Sequence, residues 1–382
     1  MARSERLAHD EDVTAVCSRT GREETDAPIA FETVEPLVRG RGRLSYACET
    51  GSFAVRARRA LRRRRHEFDV VHSIGFATAE ADLVTVNAVR PAEIAHYFDQ
   101  VEPTARIRRR LTPLLRPQSA VVLAIERRLF RSPAPYCITH SSAIADELAR
   151  HYGVPRDAIE AIPVGVDARR FAGRPGGRAV MRARLQLPAD AFVVLFVGDD
   201  FERKGLDRAI MMLARLRCDA QLLVVGGGGQ AAYEPLVRLL PPGRGVRFLG
   251  RFPNDELPDV YSAADALVLP SRQDSWGHPV LESLAAGRPA LVSEFAGAHE
   301  VVTDGIDGFV LDREGSPEQM TQILDGLAAD RDRRAEMGQR GRATAAAYDR
   351  GLVFERFRAA HHKAYARRLA CARADEFLPA PA

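Results

Sequence analysis

Short apolar, β-branched runs alternate with helical patterns along this chain, in two successive blocks. That alternation is typical of parallel sheets covered by helices, because each parallel strand needs a crossover connection. The first block predicts strands at Val13–Cys17, Val70–Ser73, Leu83–Val86, Tyr136–Thr139 and Glu160–Pro163, and most clearly a helix at Ser141–Tyr152. The second predicts strands at Phe192–Val197, Gln221–Val225, Val246–Leu249, Ala266–Leu269 and Ala290–Val292, with helices at Leu206–Leu216, about 255–263 and 279–286.

The 382 residues suit two α/β domains rather than one. The Gly- and Pro-rich stretch Arg169–Gly177 is the predicted linker, which gives domains at 1–172 and 173–345. A helical tail over 346–382 is expected to pack back on the first domain. Two open α/β sheets in one chain are expected to face a cleft, with ligand at the carboxyl ends of the strands.

Composition excludes several classes of protein. Apolar residues make up 46% and charged residues 28%, as in water-soluble globular domains, and no apolar run is long enough to span a bilayer. The first residues lead into no apolar stretch, so no secretory signal is predicted and a cytoplasmic location is expected. Five scattered cysteines, none in CxxC spacing, argue against a disulfide framework and a zinc site.

The basic residues are biased and unevenly placed. Only Lys204 and Lys363 are lysines, so a lysine within a motif is informative. Between residues 41 and 131 there are 18 arginines against 9 acidic residues, densest at Arg56–Arg65 and Arg106–Arg110. Either a solvated helix face or attachment to an anionic membrane surface explains them. Nucleic acid is not an expected partner, since no aromatic interleaving accompanies the arginines.

A basic loop follows the predicted strand Phe192–Val197. Gly198 permits a tight exit, and Arg203 and Lys204 precede Gly205, which opens a helix. A strand end, two cations and a helix N-terminus together form an anion site, whereas a surface turn with two solvated charges is the alternative.

Two carboxylates follow a later strand. Asp274 lies in a loop, and Glu282 lies one turn into a helix that begins near Gly277 and Pro279. A carboxylate with two acceptor oxygens suits the paired hydroxyls of a ribose or a sugar. A third loop, 293–302, ends the next predicted strand, and its backbone amides are suited to phosphate.

At these residues the chain resembles the retaining family-four glycosyltransferases of the GT-B fold, most strongly from Cys137 to Asp312. The resemblance is carried by Ile162–Asp167, Arg203–Gly205, Leu257–Asp265 leading into Leu269–Ser271, and the acid-x7-acid spacing of Asp274 and Glu282. The Gly198–Gly205 stretch is similar to the lipopolysaccharide-core glucosyltransferase branch.

The resemblance implies a hexosyltransferase that moves a sugar, with retention, from a UDP- or GDP-linked donor to a glycan or glycolipid of the cell envelope, without an obligatory metal or other cofactor. Arg203 and Lys204 would hold the diphosphate, Glu282 the ribose, and Asp274 the transferred sugar. The residues expected to bind the donor are Gly198, Arg203, Lys204, Arg251, Asp274, Trp276, Gly277, His278, Pro279, Val280 and Glu282, of which Arg203, Lys204 and Asp274 are the expected catalytic residues. Asn87 and His72 are expected on the acceptor side, and the inner face of the plasma membrane is the expected peripheral location.

Three departures from the family pattern bear on function. Asp274 stands where the family usually has Glu, and Asn87 where it often has His. The chain also begins near the family's first helix, so about one strand and most of a helix are expected to be absent, either because the start is misassigned or because the first domain lacks them. A non-catalytic nucleotide-sugar-binding or scaffold protein is therefore the alternative function, followed by a related epimerase. A dinucleotide oxidoreductase is disfavoured, because no G-x-G-x-x-G in the right context is present.

Overall fold

The computed structural model describes residues 7–8, 11–17, 29–37, 43–101, 117–131, 133–188, 190–313 and 315–376. Those up to residue 162 and from residue 354 onward form one compact unit, unit 1, and those from 163 to 353 form the other, unit 2. None of the helices in the described part of the chain is long and apolar enough to cross a membrane.

Unit 1 contains two parallel sheets. Its strands are β1 Val13–Cys17, β2 Ile29–Thr33, β3 His72–Ile74, β4 Leu83–Val86, β5 Tyr136–Thr139 and β6 Ile159–Ala161. β1 pairs with β2, and the other four lie in the order β3-β4-β5-β6. Among the described residues before 162, its helices are α1 Arg43–Arg63, α2 Arg90–Val101, α3 Pro117–Leu129 and α4 Ser142–Tyr152. The hydroxyl of Ser141 caps α4, and Gly153 ends it in a left-handed conformation.

Unit 2 is a doubly wound α/β domain with six parallel strands. They are β7 Phe192–Val197, β8 Ala220–Val225, β9 Arg244–Gly250, β10 Ala266–Leu269, β11 Ala290–Ser293 and β12 Gly308–Leu311. The helices are α5 Ala168–Phe171, α6 Gly177–Arg184, α7 Leu206–Arg215, α8 Glu234–Val237, α9 Leu257–Ala263, α10 His278–Ala285, α11 Pro317–Ala329 and α12 Arg331–Ala347.

The central strands of unit 2 are buried on both faces because helices cover both. In β7, Val193 and Leu195 pack into one apolar cluster, whereas Val194 and Phe196 pack into the other. The strand order is β12-β11-β10-β7-β8-β9, so the direction of winding reverses between β7 and β10. In open α/β sheets, ligands bind at the carboxyl ends of the strands beside such a reversal.

The segment predicted as the linker is not one. Ala168–Phe171 forms α5, and the Phe171 ring packs edge-on against Tyr261 at 5.5 Å between centroids. Because Phe171 is buried in the core of unit 2, the unit begins at Pro163 rather than near residue 173. The Gly and Pro residues of this stretch predicted a break between domains. They instead lie in the loop between α5 and α6 and at the first position of α6, within unit 2.

The last helix, α13 Arg350–Glu376, passes into unit 1 from Phe354 onward. Lys363 Nζ lies 2.8 Å from a Glu160 carboxylate oxygen, and the Arg356 guanidinium donates to the carbonyl of Ala161 at 2.7 Å. These bonds attach α13 to the edge strand β6 and to the residue that ends it.

Candidate functional site

Three loops at the carboxyl edge of the unit 2 sheet are joined by backbone hydrogen bonds. The loop after β7 meets the loop after β10 where Arg272 N donates to Arg203 O at 2.8 Å. The loop after β10 meets the loop after β11 where Asp274 N donates to Phe295 O at 2.8 Å and Gly297 N to Asp274 O at 3.1 Å. The basic loop, the loop with Asp274 and the third loop therefore adjoin one another beside the point where the winding reverses.

The basic loop and the first acid are in direct contact. Lys204 Nζ lies 2.8 Å from Asp274 Oδ2, and both side chains are about nine-tenths buried. Arg203 donates from Nη1 to Gln273 O at 2.7 Å and from Nε to Asp200 at 3.0 Å, yet its side chain stays 41% exposed. A partly desolvated ammonium and an open guanidinium thus stand side by side, an arrangement suited to an anion.

Two glycines make this contact possible. A Cβ at Gly198 would lie 2.0 Å from Cδ of Lys204, so the lysine stem runs directly across that glycine. Gly205 has φ +79° and opens α7, and a Cβ there would lie 2.2 Å from Pro270 O. Glycine is required at both positions because another chain segment occupies the space of a side chain.

Glu282 lies in the middle of α10 and is partly buried. The Tyr261 hydroxyl donates to Glu282 Oε2 at 2.5 Å, and Tyr261 itself is fully buried. Burial raises the pKa of Glu282, while the Tyr261 hydrogen bond and the charges of Arg170, Lys204 and Arg350 oppose that shift. Burial also holds the pKa of Tyr261 well above its usual value. The pair fixes one carboxylate oxygen of Glu282.

The residues between the two acids contribute backbone more than side chains. Gly277, with φ +103°, precedes α10, and Trp276, Pro279 and Val280 are buried in the core beneath it. Trp276 O accepts from Ala298 N at 2.6 Å, which ties this segment to the third loop. His278 is exposed at the first position of the helix.

Arg251 follows β9 and lies near the basic loop. Its Nε is 3.4 Å from Asp199 Oδ1, and the same oxygen accepts from Gly227 N at 2.7 Å. That backbone hydrogen bond, with the nearby Arg251 charge, lowers the pKa of Asp199. Because 78% of the Arg251 side chain is exposed, it stands at the rim of the site.

Comparison with known proteins gives the family of each half. The model for Glycosyl transferases group 1 matches residues 178–344, which include every site residue of unit 2 named above except Arg170 and Arg350. The model for Glycosyltransferase Family 4 matches residues 4–170. Both halves of the chain belong to glycosyltransferase families.

Sequence relatives and solved structures agree with that assignment. A D-inositol 3-phosphate glycosyltransferase from Streptomyces bingchenggensis is 33% identical over 64% of this chain and 55% of its own length, so this chain spans about half of that relative. The structure of WaaG, a glycosyltransferase involved in lipopolysaccharide biosynthesis, superposes with a TM-score of 0.76 at 23% identity, covering 94% of this chain and 93% of WaaG. Anabaena HepE, solved with UDP and glucose, gives 0.60 at 20% identity, covering 87% and 85%. The fold is GT-B.

The two residues expected on the acceptor side of the glycosyltransferase lie at opposite ends of the unit 1 sheet. His72 begins β3 and pairs in register with Leu83, the first residue of β4, whereas Asn87 follows Val86 at the other end of β4. Asn87 is exposed. His72 is engaged, with its Nδ1 3.1 Å from His361 Nε2 and its Nε2 2.9 Å from the Thr85 hydroxyl. The structure does not bring them together.

Two residues beside the site were not predicted from the sequence. Tyr261 lies in Leu257–Asp265, a segment that carried the family resemblance. A tyrosine in a predicted buried helix indicates that its hydroxyl has a hydrogen-bond partner. Arg272 lies in the loop that carries Asp274 and bonds across to the basic loop and to α7, as described below. Neither position has a spacing rule that reveals its partner.

Proposed function

We propose that this GT-B chain is a retaining hexosyltransferase that uses a nucleotide-diphosphate sugar. The observation that carries the proposal is the Lys204–Asp274 contact at 2.8 Å beside the open guanidinium of Arg203. It gives one edge of the unit 2 sheet two cations for a diphosphate and a carboxylate for a sugar hydroxyl. Glu282, fixed through one oxygen by Tyr261, has a second oxygen for the ribose.

The proposed mechanism depends on charge stabilisation rather than on a strong base. As the glycosidic C–O bond breaks, negative charge grows on the leaving diphosphate, and Lys204 and Arg203 offset it. The acceptor hydroxyl attacks the same face of the sugar and passes its proton to the departing diphosphate oxygen. These steps assign no role to a bound metal or other cofactor, because the two side chains supply the positive charge.

The donor we propose is UDP-glucose, with GDP-mannose as the second candidate. HepE, whose fold is similar, is solved with UDP and glucose, and the basic loop resembles the lipopolysaccharide-core branch. For the acceptor, that resemblance favours a cell-envelope glycolipid, whereas the curated relatives are D-inositol 3-phosphate glycosyltransferases. A phosphorylated polyol is therefore the second acceptor class.

A panel of donors and acceptors tests this function. UDP-glucose should raise the thermal stability of the protein and be transferred with retained anomeric configuration, read by NMR of the product. Binding without transfer to either acceptor class would favour the non-catalytic alternative, and release of free UDP with sugar epimerisation would favour the epimerase. If no nucleotide sugar shifts the unfolding temperature, the proposal fails.

We further propose that the Arg-rich segment attaches the protein to anionic lipid, as expected for a peripheral enzyme on the inner face of the plasma membrane. In α1, Arg56, Arg59 and Arg63 are exposed. Their neighbours Arg58 and Arg62 both bond Glu80 instead, at 2.6 and 2.8 Å. The run Arg106–Arg110 lies outside the described residues.

Binding to anionic vesicles should fall steeply between low and physiological salt, because exposed charges are screened. Co-sedimentation across a salt series measures this. Binding that is independent of salt contradicts an electrostatic attachment.

A further inference from the structure

Arg272 connects the two loops that carry the proposed catalytic residues. Its backbone N donates to Arg203 O at 2.8 Å, and its Nη1 donates to Glu202 O at 2.6 Å. Both acceptors belong to the basic loop, while Arg272 itself belongs to the loop after β10. Arg272 therefore lies two positions before Asp274 and bonds to the backbone immediately before Lys204.

The guanidinium of Arg272 is held in turn by Asp207 in the first turn of α7. Nη1 and Nη2 lie 2.9 and 2.6 Å from the two carboxylate oxygens, a bidentate pair. Only about a quarter of the Arg272 side chain and a third of the Asp207 side chain are exposed. Burial pushes the pKa of Asp207 up, but the Arg272 hydrogen bond and charge, together with the charge and backbone N–H of Arg208, lower it overall. Bidentate pairs fix geometry as well as supply energy.

Resting on the function proposed above, we propose that Arg272, oriented by Asp207, is a positioning residue that fixes Lys204 and Asp274 for sugar transfer. Neither side chain needs to touch the donor. Their role is to set the basic loop against the acidic loop, because the two cations must meet the leaving diphosphate while Asp274 meets the sugar. A displacement of about 1 Å at such a site can cost a hundredfold in rate.

The test compares Arg272→Lys, Asp207→Asn and the double variant in steady-state transfer, at a temperature where each is folded by circular dichroism. Lysine keeps the charge and the backbone bond but loses the planar fork. We expect kcat to fall about tenfold or more for each single variant, with the donor KM changed less than about threefold because Lys204, Arg203 and Glu282 remain. The double variant should be no slower than the slower single one, since both changes break one unit.

Arg340→Lys is the matched control, because Arg340 pairs with Glu336 at 2.5 Å on α12, outside the site. It should keep kcat within about twofold, as exposed pairs contribute little. An Arg272→Lys enzyme with wild-type kcat, or rate losses that multiply in the double variant, would overturn the positioning role. If Arg272→Lys does not fold, Asp207→Asn decides alone by the same kcat criterion. A wild-type protein that neither binds nor transfers any donor overturns the proposed function itself, and the positioning role with it.

Discussion

The surroundings of Lys204 explain why this position is a lysine in a chain whose other basic residues are nearly all arginine. Its stem crosses Gly198 at a distance that leaves no room for a Cβ, and its ammonium ends on Asp274. A guanidinium is wider and planar, and needs space that this contact does not provide. The residue type therefore follows from the glycine beneath it and the carboxylate beyond it.

Gly198→Ala should displace Lys204, because the new methyl group would lie 2.0 Å from the lysine Cδ. We expect kcat to fall about tenfold or more, as misplacement of a charge-stabilising group does. Steady-state transfer assays measure it. Gly229→Ala, where a Cβ meets nothing within 4 Å, is the control. Equal activity of the two variants would show that the Gly198 contact does not position the lysine.

Tyr261→Phe should move the acidic limb of donor binding to higher pH. The Tyr261 hydrogen bond lowers the pKa of Glu282 against the effect of burial, so its loss raises that pKa further. Because the ribose hydroxyls are expected to donate to the ionised carboxylate, binding is lost as pH falls through the Glu282 pKa, and in the variant it is lost earlier. Donor KM against pH measures the shift, while kcat should change less. Superimposable KM profiles would contradict this.

At the scale of elements, strand positions were the most predictable feature. Five runs, among them Phe192–Val197 and Leu83–Val86, coincide with observed strands because they are short and apolar, and all but Val13–Cys17 are buried almost throughout. β12 was missed because it is a short edge strand directly after the stretch Asp304–Gly308, whose Gly and Asp residues are typical of a turn. Runs of apolar residues indicate buried strands, and an edge strand such as β12 is less buried than a central one.

The position of the candidate site at one edge of the sheet was predictable from the sequence, but the hydrogen bonds between its side chains were not. The order of Lys204, Asp274 and Glu282 along the chain, together with a parallel sheet, places all three at one edge. The bonds that orient them, from Arg272 to Asp207 and from Tyr261 to Glu282, join residues 65 and 21 positions apart. No periodicity encodes such long-range pairs, so the structure was needed to reveal them.

Glu126 in α3 should make the stability of unit 1 depend on pH. It is fully buried, accepts from Arg90 N at 3.1 Å and from the Tyr152 hydroxyl, and burial raises its pKa to about 7. A carboxyl that binds its proton more tightly when folded loses stability as pH rises from about 4.5 to about 7. The loss is about 3 kcal/mol at most.

Urea unfolding at pH 5 and pH 8 measures this effect. Glu126→Gln should reduce the difference because the amide does not ionise, while Glu147 in α4, whose pKa burial also raises to about 7, keeps its own contribution. Glu336→Gln, at an exposed position on α12, is the control and should leave the difference unchanged. A Glu126→Gln protein with the pH response of the wild type would show that the buried carboxyl is not its cause.

At the scale of the whole molecule, the chain passes twice between its units, and α13 completes unit 1 with residues far from it in sequence. Phe357 is buried there, with its ring 5.4 Å from that of His72 and 4.7 Å from that of His361. Unit 1 therefore depends on the end of the chain for part of its core.

Phe357→Ala should destabilise unit 1 by about 3–5 kcal/mol, the usual cost of removing a buried aromatic ring. Chemical denaturation measures the loss, and the stabilisation of unit 2 by UDP-glucose should persist. Leu352→Ala, at a side chain 59% exposed near the start of the same helix, should cost less than about 0.5 kcal/mol. Equal stability of the two variants would contradict a core role for Phe357.

In the proposed function, unit 2 stabilises the negative charge of the departing nucleotide diphosphate. The most direct test is the transfer rate of Lys204→Ala with the best donor. We predict a loss of a hundredfold or more, the usual effect of removing one preorganised stabilising group. Lys363→Ala, which removes the other lysine of the chain and its bond to Glu160 in unit 1, should stay near the wild-type rate. Near-normal transfer by Lys204→Ala would contradict the role assigned to this site.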